Sequence, residues 1–148
     1  MGFFDKLKSA VGIGQPTVKI VTLNSNGTPK TQFNLRETMA GEITVEASKG
    51  ETEITSIKLE LIEITTVNKQ TDEGVREEKV QQVIAKQDFP YGNKKIKAGE
   101  TITQAFSMAI SNARETGIPF SHKLRAVVDC PGLDPKHEME VFLHWSYN

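Results

Sequence analysis

The chain has 148 residues and a formal net charge of −1, from 18 basic and 19 acidic side chains; that is the length of one domain, without the basic excess that a nucleic-acid binder needs to neutralise phosphates. Hydrophobic residues make up 37% and charged residues 25%, an ordinary globular composition rather than a disordered one. The longest apolar runs are too short to span a bilayer, and Cys130, the single cysteine, has no partner for an internal disulfide, so a cytoplasmic home is expected.

In chain order, Gly2 to Val11 is predicted to be a short amphipathic helix. Phe3, Leu7, Ala10 and Val11 recur at helical spacing, with Asp5, Lys6, Lys8 and Ser9 mostly elsewhere. Gly12 and Gly14 favour its end and Pro16 blocks continuation. Residues 1–14 thus form a helix and glycine-rich cap on a single domain spanning residues 1–148.

The period then changes to two. Thr17–Leu23 is a β-branched run, followed by turn residues Asn24, Ser25, Asn26, Gly27 and Pro29. Ile43, Val45 and Ala47 alternate with polar residues, as do Ile57, Leu59 and Leu61. The phase then slips, with Ile62 and Ile64 apolar and Glu63 on the formerly buried parity, which predicts a β-bulge near Leu61–Ile62. Asp72-Glu73-Gly74 turns into a long strand from about Arg76 to Phe89, making a hairpin whose ends extend beyond the core, and Pro90-Tyr91-Gly92-Asn93 is predicted as the next turn. Ile102, Phe106, Met108 and Ile110 form one inward row, interrupted by Gln104; Leu124, Ala126, Val128 and Cys130 form another. Met139, Val141, Leu143, Trp145 and Tyr147 share one face of the last strand. About seven strands with turn clusters between them predict an all-β, antiparallel sandwich.

Several stretches, in order, resemble the bacterial sporulation-control proteins of the SpoOM type. They are Phe3-Phe4-Asp5-Lys6-Leu7-Lys8 closing on Gly12-Ile13-Gly14, then Gly41-Glu42-Ile43-Thr44-Val45 followed by Ile57-Lys58-Leu59-Glu60-Leu61, and finally Lys123-Leu124-Arg125-Ala126-Val127-Val128-Asp129 with Pro131-Gly132-Leu133-Asp134-Pro135. The resemblance implies an arrestin-like, immunoglobulin-like β-sandwich used for scaffolding and regulatory contacts, without catalysis. Proteins of this type usually carry two such sandwiches in tandem, whereas this sequence has the length of one.

The candidate contact residues are few. Burying Phe3, Phe4, Leu7 and Val11 is worth roughly 1.5–3 kcal/mol each, and a helix this short is marginal alone in water. It therefore docks on its own sandwich, on a partner or identical copy, or on a membrane surface, where Lys6 and Lys8 would flank the phenylalanines. Lys6 stands where myristoylation expects serine or threonine. Lys94 and Lys95, with Lys97, form a basic knob for an acidic partner or lipid headgroup, or else a solvated hairpin tip or lysines guarding a sheet edge. Phe142 lies alone on the polar face of the last strand, as a contact patch or an ordinary surface aromatic.

His122, His137 and His144 lack the spacing of a local metal site, and Cys130 falls on a core row. No nucleophile is paired with a base in any familiar motif. The expected function is a non-enzymatic protein-binding module without cofactor or metal, taking a peptide on an open sheet edge or at loops on one end of the sandwich. Two alternatives remain open: a self-associating structural subunit, and a peripheral membrane protein using the N-terminal helix.

Overall fold

The computed structural model describes residues 15–145, apart from 49 and 133. The predicted N-terminal helix lies outside these residues. Eight strands follow one another: β1 (Thr17–Leu23), β2 (Gln32–Asn34), β3 (Thr38–Glu46), β4 (Thr52–Thr71), β5 (Gly74–Ile96), β6 (Thr101–Ala109), β7 (Phe120–Asp129) and β8 (Lys136–His144). They form a three-stranded sheet in the order β1-β3-β6 and a five-stranded sheet in the order β2-β8-β7-β4-β5. Every pairing is antiparallel except that of β2 with β8. This is the all-β sandwich that the alternating sequence predicts, with the arrestin-like form that the family resemblance implies.

The two inner faces supply the core. Ile20, Ile43, Val45, Phe106 and Met108 come from one sheet, and Ile57, Leu59, Leu61, Leu124, Ala126, Val128, Val141 and Leu143 from the other. Gly41 shows how tightly the smaller sheet is packed. A Cβ there would lie 2.1 Å from the carbonyl oxygen of Val21 and 2.9 Å from the Phe106 ring, so only glycine fits. The sequence pattern missed β2, whose three residues are too few to show a period.

The predicted hairpin is the longest feature. Its two strands meet at Thr71 and Gly74 across a two-residue turn, with Gly74 at a φ of 120°. The predicted bulge is present, but the extra residue is not in β4. Pairing between β4 and β5 jumps from Leu61–Ala85 to Ile62–Val83, leaving Ile84 over in β5, while β4 pairs with β7 unbroken from Ser56 to Thr65. The parity of β4 therefore never slips, and Glu63 remains on the inner face.

The turn expected at Pro90-Tyr91-Gly92-Asn93 is instead a second irregularity within β5. Ile54 pairs with Lys94 and Ser56 with Pro90, so three residues stand opposite Thr55. Gly92 and Asn93 absorb the excess at φ 63° and 62°, left-handed values that glycine and asparagine tolerate best. Lys94 and Lys95 accordingly lie in a paired strand opposite Ile54 and Glu53, not on a hairpin tip. The turn into β6 comes later, where the Glu100 amide donates to the Lys97 carbonyl and Gly99 has a φ of 82°. The row expected to run to Tyr147 stops at Leu143, because β8 ends at His144 and Trp145 beyond it is 47% exposed.

The sheet edges receive different treatment. The Ile20 amide, facing away from β3, donates to His137 Nδ1 at 3.1 Å and so seals the β1 edge. The Gln87 side chain donates to the Ser107 carbonyl at 2.7 Å and covers β6. β2 is only three residues long. β5, the last strand of the larger sheet, has along Val75 to Val83 neither a neighbouring strand nor a side-chain hydrogen bond on its outer edge among the described residues.

Candidate functional site

Two features stand out at the end of the sandwich where β6 runs into residues 110–119 and on to β7. The first is a buried polar cluster. Because β4 keeps its parity, Glu63 follows Ile57, Leu59 and Leu61 inward, and its partner across the sheet is His122, in phase with Leu124 and Ala126. The His122 side chain is 0% exposed and that of Glu63 is 5% exposed.

The cluster is a single chain of hydrogen bonds. The Leu143 amide donates to Thr116 Oγ1 at 2.9 Å, Thr116 Oγ1 and His122 Nδ1 are 2.7 Å apart, and His122 Nε2 and Glu63 Oε2 are 3.2 Å apart. The Arg114 amide donates to the same carboxylate oxygen at 3.1 Å, and the Arg114 guanidinium stands 3.6 Å from the other. This pattern assigns the neutral ring with its proton on Nε2, which donates to the carboxylate, while Nδ1 accepts from the threonine hydroxyl. Thr116 also donates its own amide to the Leu143 carbonyl at 2.7 Å. The 110–119 segment is thereby held to β8 through Thr116 and to β4 through Arg114.

Burial disfavours the charged imidazole and holds His122 below the ordinary histidine value of 6.5, although its hydrogen bond and charge interaction with Glu63 pull the other way. An unfolded chain thus binds this proton more readily. The stability that His122 contributes is complete above about pH 6.5 and declines as pH falls through the folded-state value.

Thr116, His122 and Glu63 place hydroxyl, imidazole and carboxylate in the order used to activate a nucleophile. Here that order does structural work. The hydroxyl oxygen already accepts an amide proton, the ring is closed to solvent, and the nearby Arg114 amide is given to Glu63 rather than left free for an oxyanion. Cys130 is also inert: burial, then the charges of Asp129 and Asp134, push its thiol up to about 11. Among the described residues, no group of three histidine, cysteine or acidic side chains is arranged to hold a metal ion.

The second feature is the ribbon formed by the far ends of β4 and β5. Thr65, opposite Phe120, is the last β4 residue paired with β7; beyond it the two strands pair only with each other. Val67, Val80 and Val83 are exposed there, and Val75 is 68% exposed. Where the ribbon joins the sheet, the Ile84 bulge opens a notch of about 350 Å³ lined by Glu60, Val83, Ile84, Ala85 and Lys86. The outer face beside it is a charged ladder, with Arg125 on Glu60 at 2.9 Å and Lys123 on Glu138 at 2.9 Å. The Lys123 hydrogen bond lowers the Glu138 pKa.

Of the residues singled out from sequence, Phe3, Phe4, Leu7 and Val11 lie outside the described residues. Lys94 and Lys95 are at the opposite end of β5 from the ribbon, with Lys95 4.0 Å from Glu51. Phe142 is 40% exposed on the outer face of β8. The structure does not gather Lys94, Lys95 and Phe142 into one surface. Sequence reasoning missed Glu63 and His122 as a pair; the usable signal was that both occupy inward positions of rows otherwise filled by aliphatic residues.

These parts define an immunoglobulin-like sandwich whose interior polar groups hold a loop in place and whose longest hairpin projects from the core. A family model described as SpoOM protein matches residues 4–130, and the chain belongs to that family. It is similar to the crystal structure of Spo0M, a sporulation control protein from Bacillus subtilis, with a TM-score of 0.73 at 20% identity. The match covers 90% of this chain and 51% of that one, so this chain spans about half the length of that relative. At this identity the likeness shows the fold. No curated protein sequence matches the chain. Among the described residues, no helix is long and apolar enough to cross a membrane.

Proposed function

We propose that this chain is a non-enzymatic regulatory binding module, working in the cytoplasm, that takes an extended segment of another protein along the outer edge of β5. The observation that carries this reading is the contrast between edges. The Ile20 amide of β1 and the Ser107 carbonyl of β6 are taken by His137 and Gln87, whereas among the described residues no side chain bonds the outward backbone groups of Val75–Val83, which lie beside exposed valines. Strand addition uses those groups directly, and the Val83–Ala85 notch offers a pocket for one partner side chain. Membership in a sporulation-control family supports a regulatory role without catalysis. The N-terminal residues Phe3, Phe4, Leu7 and Val11 act as a second contact in this reading.

The test compares three forms in capture from the source lysate: the full chain, a chain lacking residues 2–14, and a chain with residues 66–79 replaced by Asn-Gly. The replacement joins Thr65 to Val80, which already face each other, and so preserves the sandwich. The expected result is one partner captured by the full chain and lost from the shortened ribbon, with a cooperative thermal unfolding transition retained. Capture of the same partner by the shortened form overturns the edge reading. Light scattering decides the rival: an oligomer that dissolves on shortening makes the chain a self-associating subunit.

A further inference from the structure

Residues 111–119, which follow the buried core residue Ile110, are held by polar bonds more than by packing. Ala113 is buried and Thr116 half-buried, while Ser111, Asn112, Arg114, Glu115, Gly117 and Ile118 are exposed. Such a segment has few apolar contacts to resist opening and belongs to the weakly protected part of a fold. Most of its polar ties meet at His122 and its neighbours: Thr116 on the ring and, through amide and hydroxyl, on Leu143, and Arg114 on Glu63; Glu115 separately accepts from the Trp145 amide at 3.1 Å. One further bond, from the Thr66 amide to the Pro119 carbonyl at 3.0 Å, joins the segment to the root of the ribbon.

We propose that His122 is the bolt of an acid-released clamp: its protonation detaches residues 111–119 from β8 and loosens the root of the ribbon. Nε2 already carries a proton toward Glu63, so an incoming proton from solvent goes to Nδ1. That nitrogen then changes from acceptor to donor. Thr116 Oγ1 already receives the Leu143 amide and uses its remaining lone pair for the new donor, and the hydroxyl proton loses its acceptor. The ring also gains a charge in a site closed to water. Among the described residues only Glu63 faces it with opposite charge, and Glu63 is shared with the Arg114 amide and guanidinium.

The other surroundings offer no relief. β8 places Val141 opposite the ring, and along β7 the same-face neighbours are Phe120 and Leu124. Glu115 is turned to the Trp145 amide, and the three-stranded sheet reaches this end with uncharged Thr38 and Ala109. His144 is on the opposite parity of β8. Hydrating the charged ring requires Thr116, which covers Nδ1, to move away, and the segment follows it. The burial that holds His122 below its ordinary value is the same burial that opening removes. This clamp stands whether or not the ribbon binds a partner, because its readouts need no ligand.

The experiment is amide hydrogen exchange on the full chain at pH 8 and pH 5, corrected for the intrinsic change in rate, with the His122 imidazole followed by NMR over the same range. Protection of the bonded amides of Ala113, Arg114, Thr116 and Gly117 and of Leu143 is expected to fall at least tenfold at pH 5, while β3 keeps its protection. His122→Gln is expected to abolish the pH dependence. Should that variant fail to fold, Thr116→Val serves instead: losing the hydroxyl that donates to Nδ1 moves the midpoint toward the ordinary histidine value. Three results overturn the clamp: unchanged protection of the segment in the wild type at pH 5, a pH-dependent loss that persists in the folded His122→Gln chain, or simultaneous loss across β3 and the segment. When His122→Gln is unfolded, an unmoved midpoint in Thr116→Val does the same.

Discussion

The β4–β5 hairpin is two structures in one. Near the core, Ile54, Ile57, Leu59 and Leu61 of β4 are all buried, and β4 has β7 on one side and β5 on the other. Beyond Thr65 the same two strands continue with their pairing intact, but Val67, Val75 and Val80 are exposed and no third strand joins them among the described residues. Local pairing alone does not distinguish the halves; burial does. A two-stranded ribbon is marginal in isolation, so the outer half depends on the inner half for its order, whereas the inner half does not depend on the outer.

Substitutions measure that asymmetry. Leu61→Ala in the inner half is expected to cost about 2–5 kcal/mol, the range for emptying a well-packed aliphatic site, read from the midpoint of urea unfolding. Glu63→Ala, at the junction, is expected to cost about 2–4 kcal/mol, because it leaves the Arg114 amide and the His122 Nε2 proton without acceptors. Val75→Ala in the outer half is expected to change stability by about 0.5 kcal/mol or less, as for most exposed positions. A Val75→Ala cost near 2 kcal/mol would break the comparison and mean that the ribbon tip packs against something.

Much of this architecture was legible in the sequence. Alternation located most of the strands, and Asp72-Glu73-Gly74 marked the hairpin turn. What was misread came from using parity one strand at a time. Polar Glu63 between Ile62 and Ile64 resembles a slip of phase, yet it is an inward carboxylate satisfied by a histidine 59 residues away. Such a pair is visible only when register across the sheet is known. The turn expected at Pro90–Asn93 has a related explanation: glycine and asparagine at positive φ serve an irregular strand as well as a turn, and Lys94 and Lys95 line the edge strand β5 rather than a hairpin tip. The edge contacts of His137 and Gln87 join residues far apart in sequence and leave no local pattern at all.

The place where β4 leaves β7 has a mechanical consequence. From Thr65 to Thr71 the ribbon spans six residue steps, or about 20 Å at roughly 3.3 Å per residue. It is a lever rooted beside the polar cluster, and a tilt of about 15° at that root carries the tip about 5 Å, close to one strand spacing. A change too small to alter the sandwich is therefore magnified to the distance that separates one strand from the next.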